Sequence, residues 1–150
     1  MTNLKNYLLF TVLGCHTCLL AQSIQGKASD TIELLLDSAS ICCPIADNSK
    51  IGMTIANGTD TAFTYGPDYY IEYYHQGKWK EPKLKPKADN SYAWEAVLLN
   101  IRPHTRKESW MGFFTRKHVY QPGKYRVRKE VTNAQTHQKR MLYAEFEITK

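Results

Sequence analysis

Cysteine is scarce in this chain and badly placed for cross-linking. Four occur among 150 residues, and Cys15 and Cys18 fall in an apolar N-terminal stretch. That leaves Cys42 and Cys43 as neighbours. Adjacent Cα atoms across a trans peptide stand about 3.8 Å apart, below the usual disulfide range. Two free thiols are therefore expected, and a disulfide-stapled scaffold is excluded, so a packed core must supply the stability. Catalytic signatures are also lacking. There is no G-x-S-x-G elbow, no phosphate-cradling G-x-x-x-x-G-K-[ST] loop, no H-E-x-x-H and, beyond residue 21, no C-x-x-C. His75, His104, His118 and His137 fall in turns or at strand ends, none at metal-ligand spacing, and read as solvated loop residues. No catalytic residue, metal site or cofactor is assigned. Strong amphipathic helices, internal repeats and low-complexity stretches are absent too.

The one long apolar run lies at the start. Lys5 is the only charge in residues 1–21, and Tyr7–Leu13 with Cys15–Leu20 form an apolar centre before Ala21, Gln22 and Ser23. This is the layout of an export signal, too short and wrongly flanked for a membrane span. Cleavage after Ala21 leaves 129 of the 150 residues and, with Lys5 gone, a net charge of +5 instead of +6. The competing reading is a lipoprotein, because Val12-Leu13-Gly14-Cys15 resembles a lipobox with Cys15 as the acylated residue. The apolar stretch after Cys15 favours plain secretion. Either way the chain is expected outside the cytoplasm: periplasmic, secreted or attached to the envelope. No nucleic-acid partner is expected there.

Past the leader, much of the chain alternates apolar and polar residues at period two. Thr31–Asp37 is a first candidate strand, with a short helix as the alternative, and Ser38–Lys50 reads as a loop. Ile51–Asn57 is a clear strand, ended by the Asn57-Gly58 turn. Thr61–Gly66 returns briefly. Tyr69–His75 and Lys78–Glu81 form a predicted hairpin through Gln76-Gly77, with Pro82 and Pro86 marking a sheet edge. Tyr92–Ile101 and Arg106–Phe114 read as strands carrying Trp94 and Trp110. Tyr125–Val131 and Leu142–Ile148 close the chain. Pairing these last two with partner numbers summing to 273 sets Tyr125 against Ile148 and Val127 against Phe146. Arg126 then meets Glu147, and Arg128 meets Glu145, so Lys124, Arg126 and Arg128 serve cross-strand pairing on a solvated face. Seven to nine short strands with frequent turns predict an all-β antiparallel sandwich. Residues 22–50 form a lead-in containing the first candidate strand, and residues 51–150 form the domain.

Several short motifs recur in order: Asn57, Tyr65-Gly66, Tyr69, Ile71-Glu72, Gly77-Lys78-Trp79, Pro122-Gly123-Lys124-Tyr125-Arg126 and Ala144-Glu145-Phe146. Together they resemble the bacterial immunoglobulin-like domain family, from about Ile51 to the C-terminus. The resemblance implies an extracytoplasmic immunoglobulin-like sandwich without cofactor or known catalytic residues. Gly66, Gly77, Trp79, Gly123, Tyr125, Arg126 and Phe146 are then fold determinants: Gly66 and Gly77 for turns, Gly123 for a tight strand entry, Trp79 and Tyr125 as large fillers.

Binding is the function the sequence favours. The first reading is a non-catalytic module that holds a protein or envelope component. The second is a carbohydrate-binding module using the tyrosine strand, with Tyr70, Tyr74 and Trp79 as ligand contacts and an envelope glycan as partner. The third is a proteinase-inhibitor-like sandwich presenting Trp110–Phe114, although a buried strand is the preferred reading of that segment. The basic loops Lys78–Lys87 and Arg102–Lys117 suit anionic partners.

Overall fold

The structure is a computed structural model that describes residues 30–88 and 91–150. The expected export signal, with Cys15 and Cys18, lies outside the described residues. Ten strands occur among those residues: β1 Ile32–Leu36, β2 Ser40–Cys42, β3 Lys50–Asn57, β4 Phe63–Tyr65, β5 Tyr70–His75, β6 Lys78–Lys80, β7 Leu99–Ile101, β8 Thr105–Gly112, β9 Gly123–Asn133 and β10 Lys139–Thr149. They form two sheets. One has the order β1-β3-β8; the other has seven strands around β9. β10 flanks β9 on one side, with β2 outside it in parallel. On the other side β9 pairs with β5 through residues 125–128 and with β4 through residues 132–133. β6 and β7 extend these two branches.

Alternation explains the layering. Along β3, Ile51, Met53 and Ile55 are buried while the residues between them are half-exposed. Along β9, Tyr125, Val127 and Val131 point inward. These faces meet in one core with Ile32, Leu34, Met111, Phe146 and Ile148. Each large apolar side chain so buried contributes about 1.5–3 kcal/mol. Asn57, buried at the end of β3, has both amide protons and both lone pairs used. It donates to the carbonyls of Thr61 and Arg102 and accepts from the Thr59 N–H and hydroxyl. A buried amide is tolerated only when satisfied in this way.

Two tyrosines tie backbone to core. The Tyr125 hydroxyl donates to the Gln121 carbonyl (2.9 Å) and accepts from the Gln121 N–H (3.1 Å). This is a tyrosine corner at the crossing from one sheet to the other, a hallmark of immunoglobulin-type sandwiches. The Tyr69 hydroxyl likewise donates to the Gly112 carbonyl and accepts from the Gly112 N–H, at the end of β8 in the opposite sheet. Gln76-Gly77, both at positive φ, form the hairpin turn, as a two-residue connection requires.

Several expectations are corrected. The β9–β10 partner numbers sum to 271, so Tyr125 faces Phe146 and Arg126 faces Glu145. A two-residue shift keeps every side chain on its expected face, which is why alternation alone does not detect it. Ser38–Lys50 contains β2, held by β10. Only Leu99–Ile101 of the expected Tyr92–Ile101 strand is regular, because Tyr92 and Trp94 dock by their rings instead. Trp110 lies 65% exposed, opposite Gly52, while Met111 and Phe113 are buried. The Trp110–Phe114 segment therefore does not form a protruding loop. Trp79 is not a core filler but stands half-buried on the outer face. Cys42 and Cys43 are free thiols, as expected.

Replacing Tyr125 by Phe keeps the buried ring and removes both hydroxyl bonds to the Gln121 backbone. We expect a loss of about 1–3 kcal/mol in urea unfolding. A change under about 0.5 kcal/mol would remove the tyrosine corner from the stability account.

Candidate functional site

The outer face of the seven-stranded sheet carries an aromatic and cationic row. Alternation sends Lys124, Arg126 and Arg128 of β9 outward. The register then sets Glu72 opposite Arg126 and Tyr70 opposite Arg128 on the β5 side. Tyr143 lies opposite Arg128 on the β10 side. The hairpin adds Tyr74 and Trp79 as direct partners. The Arg126 guanidinium lies between two rings, 4.5 Å from the Trp79 centroid and 4.2 Å from that of Tyr143. Its Nε donates to Glu72 at 2.5 Å. Lys124 pairs with Glu145 at 2.6 Å and stands 5.8–5.9 Å from Trp79 and Tyr74. Arg126 and Lys124 thus pair with Glu72 and Glu145 rather than with Glu147. Each cation–ring contact at such a surface is worth about 0.5–1 kcal/mol.

Of the three sequence-predicted ligand residues, the structure brings Tyr74 and Trp79 together. Their centroids are 5.0 Å apart with planes at 57°. Tyr74 is exposed. Tyr70 stands apart, covered edge-on by Tyr92 and faced by the Arg128 guanidinium at 5.0 Å. The three rings do not form one flat platform.

Two buried polar groups escape sequence reasoning. His118 is 2% exposed, not a solvated loop residue. Its Nδ1 donates to the Pro82 carbonyl (2.8 Å). Nε2 lies 2.5 Å from the Tyr92 hydroxyl, which donates to Glu81 at 2.7 Å. Burial, and next the bond to Glu81, push the Tyr92 phenol well above its usual range. The arrangement fastens the loop after β6 to the segment before β9. No signal beyond the lone histidine marks it in the sequence. Among the described residues, no cluster of three or more His, Cys, Asp or Glu is placed to hold a metal ion.

Lys129 breaks the inward alternation of β9. It is 2% exposed, and its ammonium donates to the carbonyls of Gly66 and Asp68 at 2.8 Å each. Burial lowers its pKa to about 8, partly offset by the Asp68 carboxylate. The signal is present in the sequence as a charge at an inward position, flanked by Val127 and Val131.

A two-sheet, mainly antiparallel sandwich with a tyrosine corner defines the immunoglobulin-like class. Residues 43–147 match the bacterial Ig-like domain family, and the chain belongs to that family. Comparison with curated proteins gives no match. Ig-like domains of this kind are typically non-catalytic and often extracellular. No helix among the described residues is long and apolar enough to cross a membrane.

Lys129 gives a signed pH dependence. Its folded pKa lies below its unfolded value, so at this group the unfolded chain binds more protons between about pH 8 and 10.5, and the group's contribution to stability rises with pH there. From pH 8 to 10 that contribution is a gain of about 2 kcal/mol, read as the difference between the wild type and a variant without the lysine. From about pH 9 upward the raised phenols of Tyr65, Tyr69, Tyr92, Tyr120 and Tyr125 oppose that gain and then reverse the slope, since tyrosines ionise first in the unfolded chain. Urea titrations of Lys129→Met should lose the rise and keep the fall. An unchanged rise in the variant would contradict the assignment.

Proposed function

We propose that the protein is a non-catalytic, extracytoplasmic Ig-like module that binds a protein or envelope component through the outer face of its seven-stranded sheet. The observation that carries this is the Arg126 guanidinium held between the Trp79 and Tyr143 rings, beside the exposed Tyr74. A sandwich needs its inner faces for stability, whereas the outer faces need only be soluble. Tryptophan, tyrosine and arginine grouped on an outer face match the composition of binding hot spots. The salt bridge to Glu72 and the ring stacking hold the guanidinium in place before a partner arrives, which lowers the entropy cost of binding. The leader pattern of residues 1–21 supports export, with Cys15 lipidation as the alternative anchor.

A glycan partner is the second reading, through Tyr70, Tyr74 and Trp79. The exposed Tyr74 ring beside Trp79 favours it, because sugar rings pack on such apolar faces.

The exported chain, tagged and incubated with envelope extract, should retain one dominant protein. Trp79→Ala combined with Tyr143→Ala should reduce that capture by about tenfold or more, the effect of losing one hot-spot residue. Equal capture by the double variant would overturn the outer-face assignment. Recovery of glycan without protein, lost on Tyr74→Ala, would establish the second reading instead.

A further inference from the structure

A cleft of about 250 Å³ opens at the sheet edge where β6 ends. Tyr73 and Val119 give it an apolar wall over the buried Pro82 and Tyr125, and Lys80 and Lys83 give it a basic rim. Three separate segments build it. The hairpin register places Lys80 directly opposite Tyr73. The loop after β6 runs antiparallel to the stretch before β9, through the Leu84–His118 bridge, and the Val119 N–H donates to the Lys83 carbonyl at 2.8 Å. The chain then turns into β9, whose buried Tyr125 backs the Tyr73 ring.

The wall is held in advance. Tyr73 accepts a hydrogen bond from Gln121 Nε2 at 3.0 Å, and its ring is 4.9 Å from that of Tyr125. It also lies against Gly123, which sits at φ +151°. A Cβ added there would come within 2.8 Å of the Tyr73 ring. Glycine at this position therefore keeps both the backbone conformation and the ring position.

The rim is short of negative charge. Neither Lys80 nor Lys83 takes part in an ion pair among the described residues. Glu81 is the one acid lining the cleft, and it is engaged by the Tyr92 hydroxyl at 2.7 Å, with His118 at 3.5 Å. One step along the same ladder, Lys85 and Lys117 are joined through their backbones, so two further cations are neighbours. Like charges across a ladder are unfavourable unless a counter-charge is supplied.

We propose that this cleft binds a small organic anion: a carboxylate or phosphate carried on a flat apolar body of one or two rings. The body would lie against Tyr73 and Val119, and the anionic group would accept charge-assisted hydrogen bonds from Lys80 and Lys83. This site is separate from the Arg126 row and does not depend on the function proposed for it.

The test is a titration of the ¹⁵N-labelled protein with 2-naphthoate and with its neutral analogue 2-naphthylmethanol, followed by amide shifts. We expect saturable shifts at Tyr73, Lys80, Lys83 and Val119 with 2-naphthoate. The neutral analogue should bind about tenfold more weakly, and the Lys80→Ala/Lys83→Ala protein should lose about tenfold in affinity for 2-naphthoate, as expected when charge-assisted bonds are removed. Both lysines are solvent-facing, so the variant's melting temperature should match the wild type. Trp79→Ala/Tyr143→Ala should bind 2-naphthoate unchanged, which separates this site from the outer face. Shifts that do not saturate, equal affinity for the two ligands, or full affinity in the lysine variant would overturn the proposal.

Discussion

The two-residue alternation of β9 is the constraint on which the rest of the structure depends. This strand lies at the centre of the larger sheet and has neighbours along both edges. Its inward side chains, Tyr125, Val127 and Val131, are among the most deeply buried in the protein. Its outward side chains are the cations that organise the opposite face. A slip of one residue would bury the arginines and expose the core, so the packing of Tyr125 against Phe146 also fixes the arrangement outside. The hydroxyl of Tyr125 anchors the start of the strand, and the length of β9 lets it carry β5 at one end and β4 at the other.

The one exception to the alternation is informative. Lys129 occupies an inward position, and the chain accommodates it by turning two carbonyls of the β4–β5 connection onto the ammonium. A buried cation with hydrogen bonds but no direct ion pair carries a desolvation cost, seen in its lowered pKa. In exchange it closes the loop that leads into Tyr69, whose hydroxyl joins the two sheets at Gly112. Core, loop and outer face are thus set by successive residues of one strand.

Much of this is legible in the sequence, because period-two alternation reports faces directly. The two-sheet class, the Gln76-Gly77 hairpin, the inward Tyr125 and the outward Arg126 all derive from it. Register is not legible. Arg126 matches Glu147 and Glu145 equally well by charge, and its actual partner, Glu72, belongs to a strand more than fifty positions away. β2 escapes detection because three residues carry too little pattern, and its pairing depends on β10 near the other end of the chain. Trp79 reads as core from its size, yet hairpin pairing with Tyr74 sends it outward. Tyr92 and Trp94 imitate strand alternation while acting as anchors for an irregular segment. The cleft between Lys80 and Val119 has no sequence signal, since its walls come from three segments that meet only in the fold.

The proposed function rests on the outer face of β9 being an interaction surface rather than solvated packing. Hydroxyl-radical footprinting tests it directly, by comparing oxidation of Tyr74, Trp79 and Tyr143 in the purified protein and in intact envelopes. Selective protection of these three residues in the envelope, with Trp110 on the opposite sheet oxidised equally in both, is the predicted result. Equal oxidation of all four in both settings would contradict the account.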